Sequence, residues 1–432
     1  FSAIRKNSEA GGFKGMTSGL MRGLPDIGNT YLDARFDDFR LTTRGLGKFI
    51  TEWMMGKGVL DISKFADGSV FYLTARGSGM MNALDIDAKI TSAIGDADAD
   101  VRLSNLVSPG RPIGISGTVQ TEDLNIGKFI GNDLLGPATL RTSLDARLGS
   151  GDKPTEIKID TLKIDRLYAN GYDYSEITAV GNLNANGFDG SIACNDPNLN
   201  FLLQGAFALS SKTQTAKYKF FTNIGHADLN AINIDKRGIS RIKLRASADF
   251  TRTATGDMRG KIDIGDITLQ NSMGKHQVGD ISLNSYNNDS TYTMRLESGF
   301  ANGRYTGSAP VTAFIKDLKD ITLKKEIPAL FTDSTYVWKG NTYALDFRFH
   351  NSMSLLNFAM PGLYIDEGSE LKATVSKEGT LSARLISNRL AFKANYLKGI
   401  CADINNTDNS LNGLIDCSEL KISSLSLKDS HL

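Results

Sequence analysis

Histidine, glycine and carboxylate side chains are the first candidates for chemistry in this chain. The histidines are isolated in sequence, with no histidine, cysteine or carboxylate at the spacing of a metal site; they are His226, His276, His350 and His431. The glycines near the N-terminus lack both the Gly-x-Gly-x-x-Gly and the Gly-Lys-Ser/Thr sequences of phosphate-binding loops. The sequence therefore predicts no catalytic residue, no metal and no cofactor, and we expect that the protein is not an enzyme.

Asp96, Asp98 and Asp100 alternate in the way that ligands alternate in a calcium-binding loop. The segment lacks the glycine at the sixth position and the final glutamate of such a loop. Ala97 and Ala99 lie between the aspartates. We therefore interpret the aspartates as the polar face of a β-strand.

The cysteines Cys194, Cys401 and Cys417 leave two interpretations open. A hairpin could bring Cys401 and Cys417 side by side, which would allow a disulfide. Alternatively, all three are small, buried apolar residues. An odd number without metal-ligand spacing does not define a disulfide framework.

The charge balance and the composition limit the classes of partner. The chain has 49 basic and 48 acidic residues, so its net charge of +1 gives no field that would attract nucleic acid. With 43 glycines and only nine prolines, the composition suits many short turns between strands. No apolar run reaches the roughly 18 residues that a membrane-spanning helix needs. Because the chain opens at Phe1 and stops at Leu432 within a strand pattern, we expect that both ends are cuts in a longer polypeptide.

Alternation of apolar and polar residues is the dominant pattern. From Arg241 to Thr251 every even position is apolar and every odd position is polar or charged. Successive side chains of a strand point to opposite faces, so this segment has one apolar and one polar face. The pattern recurs at 291–300, 341–350, 370–376 and 390–397. It places these residues on a common apolar face: Ile242, Leu244, Ala246, Ala248, Phe250, Tyr292, Met294, Leu296, Phe300, Leu345, Phe347, Leu371, Val375 and Phe392.

Turn sequences separate the strands at short intervals, which favours antiparallel neighbours over βαβ units. Helical spacing of apolar residues is confined to 45–55, 125–135 and 311–330; Asp123 is the predicted N-cap of the second helix, and Pro328 breaks the third. Three short amphipathic helices cannot cover the apolar face of so many strands. The sequence thus predicts an all-β, mostly antiparallel fold over residues 1–432, as one continuous β-rich fragment.

Three other interpretations are consistent with alternating strands. An ordinary β-sandwich or barrel core would have the same alternation. A surface-exposed β-solenoid or adhesin-like binding module is the second, although the irregular hairpins do not suit its short regular coils. A glycan-degrading enzyme is the third, and it needs carboxylates that converge on a cleft. Because the alternation persists along the whole chain without a closing pattern, we favour a folded-over sheet.

The segment 171–205 resembles the TamB (translocation and assembly module) branch of the AsmA-like proteins, especially those of Bacteroidota. It contains Gly171-Tyr-Asp-Tyr, a Phe188-Asp-Gly turn, Asp196-Pro-Asn and a strand that ends at Gly205. Further similar stretches are 225–234, 121–130 and 34–41. The motifs contain no catalytic residue.

The resemblance implies an elongated sheet folded into a U-shaped apolar trough, the β-taco, which carries phospholipid acyl chains between membranes. It implies a periplasmic protein of the Gram-negative cell envelope, anchored in the inner membrane by a segment outside this fragment. Some members of the family also assist outer-membrane protein assembly together with a barrel protein. On this resemblance we expect intermembrane lipid transport as the function.

Overall fold

The computed structural model describes residues 6–10, 13–42, 70–108, 110–130, 132–149, 155–208, 215–253, 257–288, 290–319, 338–406 and 410–431. The chain divides into two compact units. Unit 1 comprises Phe1–Leu209 with Ala231–Ile234, and unit 2 comprises Ser210–Asn230 with Asp235–Leu432. Nothing in this division tests the single continuous fragment predicted over residues 1–432, which stays a prediction.

Unit 1 is an antiparallel sheet in which strands that follow one another in sequence pair with one another. Its strands are β1 Lys6–Ala10, β2 Phe13–Arg22, β3 Tyr31–Thr42, β4 Val70–Met80, β5 Ala83–Ser92, β6 Asp96–Ser104, β7 Ile113–Asn125, β8 Leu135–Leu148, β9 Glu156–Ala169, β10 Tyr172–Asn184, β11 Gly187–Asp196 and β12 Leu199–Phe207. The aspartates at 96, 98 and 100 lie in strand β6, as predicted.

Unit 2 also has antiparallel pairing between strands that are close in sequence. Its strands are β13 Ala216–Asp228, β14 Ser240–Arg252, β15 Met258–Asn271, β16 Gly274–Val278, β17 Ile281–Asn288, β18 Thr291–Ser298, β19 Ala301–Gly307, β20 Tyr343–Phe349, β21 Leu363–Ile365, β22 Glu370–Val375, β23 Leu381–Phe392, β24 Asn395–Asn405, β25 Asn412–Ile422 and β26 Leu425–His431. Strand β15 pairs with both β16 and β17, and β23 pairs with both β21 and β22.

Every strand pairing among the described residues is antiparallel, and the first and last strands of each unit are not paired with each other. The all-β, antiparallel prediction is confirmed. The pairing does not suit the β-solenoid interpretation, because the coils of a β-helix pair in parallel. The predicted strand 390–397 is wrong, since β23 ends at Phe392 and β24 begins at Asn395. Lys393 takes a φ of 56° in the turn between them, so alternation there spans a hairpin instead of one strand.

The helices differ from the prediction in extent and number. They are a 3₁₀ turn Ile27–Asn29, α1 Ile126–Ile130, α2 Val311–Lys319 and α3 Met353–Ala359. The predicted helix 45–55 lies outside the described residues, as does the part of 311–330 beyond Lys319. The predicted helix 125–135 is shorter, because β8 begins at Leu135. Helix α3 is not predicted, since its seven residues are too few to define a helical period.

The predicted N-cap of α1 is also wrong. Asp123 has a φ of 47° and lies at a β-bulge in β7, where the register shifts between Thr121 and Leu124. The side chain of Asn125 is the actual cap, and its Oδ1 accepts a hydrogen bond from the Lys128 N–H at 2.9 Å. Asn is as good a cap as Asp, so the sequence signal alone did not distinguish them.

Each sheet has a polar face with cross-strand ion pairs. Arg102 and Asp85 lie directly opposite each other and are joined at 2.6 Å. Lys219 and Asp249 form the same kind of pair between β13 and β14. These pairs are exposed and contribute little to stability, but opposite charges on facing residues disfavour other registers.

Gly181 marks a bend in the unit 1 sheet. The register of β10 with β9 shifts between Ala179 and Gly181, and Gly181 has a φ of +152°. A Cβ atom there would overlap the carbonyl oxygen of Asp189 and approach the Phe188 ring to 2.9 Å. Only glycine fits this backbone conformation and this close approach.

We expect Gly181→Ala to destabilise unit 1 by about 3 kcal/mol, because the substitution adds steric overlap to backbone strain. Gly110→Ala is the matched control. Gly110 also has a positive φ, of +73°, but nothing lies within 4 Å of its added Cβ. The control should lose only about 1 kcal/mol. Urea unfolding of both variants measures the difference, and equal losses would contradict this account of the bend.

Candidate functional site

One unbroken row of apolar residues crosses the unit 2 sheet. Cross-strand pairing connects each residue to the next, with one residue from each strand between β13 and β25 except β16 and β21. We call it the central row: Phe220, Ala248, Ile262, Leu283, Leu296, Gly303, Phe347, Leu371, Leu385, Ala402 and Ile415. Strands lie about 4.8 Å apart, so the row extends for roughly 45–50 Å along the sheet.

Unit 1 has a corresponding row of smaller residues. It runs from β3 to β12 through Phe36, Ala75, Ala88, Ala99, Val119, Thr142, Leu162, Ala179, Ile192 and Leu203. The parallel row beside it includes glycine at Gly77, Gly117 and Gly181. The unit 1 face therefore has less side-chain volume than the central row of unit 2.

The larger residues of the central row are only half-buried. Leu296, Phe347 and Leu371 all retain exposed surface, whereas the small residues Ala248 and Ala402 are buried. The buried clusters consist of residues on neighbouring strands, supplemented in unit 2 by helices α2 and α3. None of these clusters, as far as the chain is described, joins two sheet faces in the manner of a β-sandwich. With only the described residues considered, the larger side chains of the central row thus keep solvent-accessible surface.

Helix α2 covers the apolar face on one side of the central row. Its Phe314 packs against Tyr305 and Tyr343, with ring centroids 5.9 and 5.1 Å apart. These aromatic residues form a buried cluster with Val375 and Leu381. Pro310 precedes the helix, and its carbonyl oxygen accepts hydrogen bonds from the N–H groups of Ala313 at 2.9 Å and Phe314 at 3.2 Å.

A buried carboxylate fixes α2 to the sheet. Asp317 accepts hydrogen bonds from the Tyr343 hydroxyl at 2.6 Å and from the Asn341 amide at 2.8 Å. Tyr305 donates its hydroxyl to the carbonyl oxygen of Ala309 at 2.5 Å. Burial, together with the hydrogen bond to Asp317, raises the pKa of Tyr343 well above its usual range. Burial and the charge of Asp317 likewise raise the pKa of Tyr305.

Helix α3 covers the apolar face on the other side of the central row. Its Leu355 and Phe358 pack on the buried cluster of Ile267, Leu269 and Val278. Met294, which packs against the α2 cluster, and Phe300, which packs against the α3 cluster, are six positions apart in sequence. Leu296 lies between them. Among the described residues, neither helix cluster includes Leu296, Phe347 or Leu371, and we call this part of the central row the open lane.

Arg237 holds the C-terminal end of α3. Its Nη1 donates to the carbonyl oxygens of Phe358 at 2.9 Å and of Ala359 at 3.3 Å, and its guanidinium lies 5.4 Å from the centroid of the Phe358 ring. A cation at this end of a helix satisfies carbonyl groups that have no partner within the helix. Asp235 binds the same guanidinium, and the hydrogen bond from Arg237 lowers the pKa of the Asp235 carboxyl.

The predicted lining residues fall into four groups, and Phe392 stands apart from them. Helix α2 and its cluster contact Tyr292, Met294, Leu345 and Val375, and the α3 cluster includes Ile242, Leu244 and Phe300. The central row contains Ala248, Leu296, Phe347 and Leu371. Ala246 and Phe250 lie on the same face of β14, and Phe250 stacks on Tyr218. Phe392 departs from the set, because 48 % of it is exposed at the end of β23.

Sequence reasoning missed the whole apolar face of unit 1 and several members of the central row. The signal was present, because apolar and polar residues also alternate in Glu156–Ala169, although with two breaks that the apolar positions of Ser240–Arg252 do not have. It also missed Asp317 and Tyr343, which are 26 residues apart in sequence and meet only when α2 folds onto the sheet.

The cysteines and carboxylates bear on the other interpretations. Cys401 lies opposite Asp416 in the neighbouring strand, so Cys417, the next residue after Asp416, points to the other face of the sheet. Cys194, Cys401 and Cys417 are all free thiols. The disulfide alternative is therefore wrong. No three histidine, cysteine or acidic side chains in the described ranges are grouped as metal ligands would be.

A cavity of about 470 Å³ on the polar face of unit 2 brings together Asp263, Asp266, Asp280 and Glu297. Asp266 is paired with Arg245. A hydrogen bond from Lys261 lowers the pKa of Asp263. A glycosidase needs the opposite, a carboxylic acid whose pKa is raised so that it can donate a proton. This cavity does not favour the glycan-degrading interpretation.

Comparison of the chain with protein-family models, with curated proteins and with solved structures finds no match. No helix within the described ranges is both long and apolar enough to cross a bilayer. The resemblance to the TamB branch therefore stays a prediction, and the residues of the apolar face carry the functional argument.

The attachment of α2 predicts loss of stability at alkaline pH. The folded pKa values of Tyr305 and Tyr343 lie above their usual value of 10.0, so their contribution is complete below pH 10 and is lost as the pH rises above it. We expect the free energy of unfolding of unit 2 to fall above pH 10. Tyr343→Phe should weaken this dependence and cost about 1–3 kcal/mol at neutral pH, because Asp317 loses a donor.

Tyr286→Phe is the control for this prediction, since Tyr286 is an exposed tyrosine of the same unit. It should leave both the stability at neutral pH and the alkaline dependence unchanged. Denaturant unfolding at a series of pH values measures both quantities. An alkaline profile identical for wild type and Tyr343→Phe would show that α2 is not held in this way.

Proposed function

We propose that this protein binds the acyl chains of phospholipids on the apolar faces of its sheets and passes them along the strands from one membrane to another. The open lane of unit 2, an apolar row between two helices, is the observation that carries the proposal. The corresponding row of unit 1 offers a second such surface. This chemistry needs no metal, no cofactor and no catalytic residue.

The dimensions and chemistry of the lane suit a lipid. The hydrocarbon core of a bilayer is about 30 Å thick, so each acyl chain reaches roughly 15 Å, which is much shorter than the central row. A bound lipid therefore has several successive positions along the row. Each buried methylene gains about 0.8 kcal/mol, and no polar contact is required. Because neighbouring positions along the row have similar apolar surroundings, the lipid binds them with similar free energy and can move from one to the next.

The proposal includes the cellular setting that the resemblance to TamB-like proteins implies. The protein would act in the periplasm of a Gram-negative cell, with an inner-membrane anchor outside residues 1–432. An outer-membrane barrel protein is the proposed partner at the far end, and assistance in outer-membrane protein assembly would be a second role. The polar, charge-paired outer faces support solubility in such an aqueous space.

Lipid bound to the lane is tested by mass spectrometry of the purified chain and by photo-crosslinking. A photoreactive residue at Leu296 should give lipid adducts. The same residue at Arg295, one position away and on the opposite, exposed face, should give none. Protein adducts alone at Leu296 would support a sealed core and overturn the proposal.

A charge placed in the lane should block transport, whereas a smaller side chain should not. We expect Leu296→Asp to interrupt the passage of lipid along the row, because a carboxylate buried against an acyl chain costs several kcal/mol. Leu296→Ala keeps the lane open and should retain most activity. Arg295→Asp introduces the same group on the polar face and should be nearly silent, within about 0.5 kcal/mol in stability.

Complementation of a deletion strain, with expression and folding checked by immunoblot and circular dichroism, measures these variants. Full activity of Leu296→Asp would contradict the lane. A carrier with one discrete lipid site would instead lose function in Leu296→Ala or in one other alanine variant. This outcome would show that lipid binds at a single position and does not move along the row.

A further inference from the structure

One edge of the unit 2 sheet combines exposed apolar residues with an excess of cations. Strand β23 ends there at Phe392, which pairs with Leu363 of β21 and Asn395 of β24. The next turn lies at the same edge, because the Ser423 N–H donates to the Asn395 side chain at 2.8 Å. We call the segments 360–366, 389–398 and 419–428 the hairpin edge.

The apolar residues of the hairpin edge extend the apolar face outward. Leu390, Leu397 and Leu420 pack in one buried cluster. Phe392 and Ile422 are two residues further along the same strands, so alternation places them on the same face. Yet Phe392 is 48 %, Ile422 52 % and Leu425 52 % exposed. Among the described residues the apolar face therefore reaches solvent at this edge.

Cations surround these apolar residues. The hairpin edge contains five basic residues, Arg389, Lys393, Lys398, Lys421 and Lys428, against the two carboxylates of Asp366 and Glu419, which leaves an excess of three positive charges.

Aromatic rings hold several of these cations near the edge. The Lys393 ammonium lies 5.4 Å from the centroid of the Phe392 ring. Arg389, Lys398 and Lys421 lie 5.4, 5.0 and 5.9 Å from the Tyr396 ring centroid. Both carboxylates are engaged: Glu419 accepts from Tyr396 and Lys398, and Asp366 accepts from Tyr364. The positive charge of the edge is therefore not neutralised within it.

We propose that the hairpin edge docks on the surface of an anionic lipid bilayer. Exposed apolar side chains beside cations are the two signals that together bind a protein to such a surface. Phe392, Ile422 and Leu425 enter the boundary between headgroups and acyl chains, while Lys393 and Lys421 contact lipid phosphates. The net charge of the whole chain is only +1, so the attraction is local to this edge.

Docking at the hairpin edge would supply a place where lipid enters or leaves the apolar face. This role rests on the proposed function of lipid transport. A bilayer docked at the hairpin edge meets the same face that carries Leu390 and Leu420. An acyl chain can then pass from the membrane to the sheet without crossing water. Bilayer docking itself is measured independently of lipid in the lane.

Co-sedimentation of the purified full chain with vesicles tests the docking. We expect binding to vesicles of phosphatidylcholine mixed with phosphatidylglycerol, and little binding to phosphatidylcholine alone. Added salt should weaken the binding, because it screens exposed charges beyond about 10 Å at 0.1 M. Lys393→Gln with Lys421→Gln should lose about fivefold per lysine, or roughly twentyfold together.

Two matched controls separate the hairpin edge from general effects. Lys217→Gln with Lys243→Gln removes two exposed lysines of the same unit, away from the edge, and should bind like wild type. Phe392→Ser with Ile422→Ser and Leu425→Ser should lose binding even at low salt. Met273→Ser alters an apolar residue at another turn, 59 % exposed, and should not lose binding. Near-ultraviolet circular dichroism verifies that each variant is folded.

Failure of this inference is distinguishable from failure of the proposed function. Leu296→Asp should block the passage of lipid along the lane and still sediment with anionic vesicles. The edge variants should bind detergent-solubilised lipid as well as the wild type does, but they should not sediment with anionic vesicles. The docking would be overturned if the wild-type protein did not sediment with anionic vesicles. It would also be overturned if the edge variants sedimented as well as the wild type. Equal losses in the edge and control lysine variants would also overturn it, by showing an attraction that is not local.

Discussion

Cross-strand register is the constraint on which the rest of this structure depends. The side-chain period of a strand is two, so a shift of one residue would move every apolar side chain of that strand to the polar face. The ladder keeps the register from β13 to β25 so that each residue of the central row faces an apolar neighbour. Bulges, such as the one at Asp123, absorb an extra residue without moving the rest of the strand to the wrong face.

The buried clusters of the described residues do not join two sheet faces. A sandwich buries the two inner faces of its sheets against each other. Here the described clusters form between neighbouring strands, and in unit 2 the helices α2 and α3 cover the margins of the apolar face. Each helix is held by polar contacts as well as apolar packing, through Asp317 in one case and Arg237 in the other. These contacts fix where the cover ends, and hence where the central row stays accessible.

Much of the fold could be predicted, because alternation is a local signal. The strand around Arg241–Thr251 and the exposure of Lys243 and Arg245 follow directly from it. The signal fails where a turn happens to preserve the alternation, as at Lys393, and where a helix is too short to define a period, as in α3. At Asp123 the sequence offered a good cap, but the backbone there belongs to a bulge in the strand. For the candidate site, the sequence predicted which face of the strands is apolar. The residues predicted to line it include only some members of the central row.

The sequence by itself determined the all-β class, the antiparallel pairing of neighbours and which side of each strand is apolar, since each depends on residues close together in the chain. Only the tertiary structure decided which apolar residues are covered. Met294 and Leu296 are two residues apart on one face, yet Met294 packs in the α2 cluster and Leu296 lies in the open lane. The difference is made by Phe314 and Asp317, which reach the sheet from another segment. Periodicity contains no information about such distant contacts, because they depend on where a helix packs and not on the strand itself.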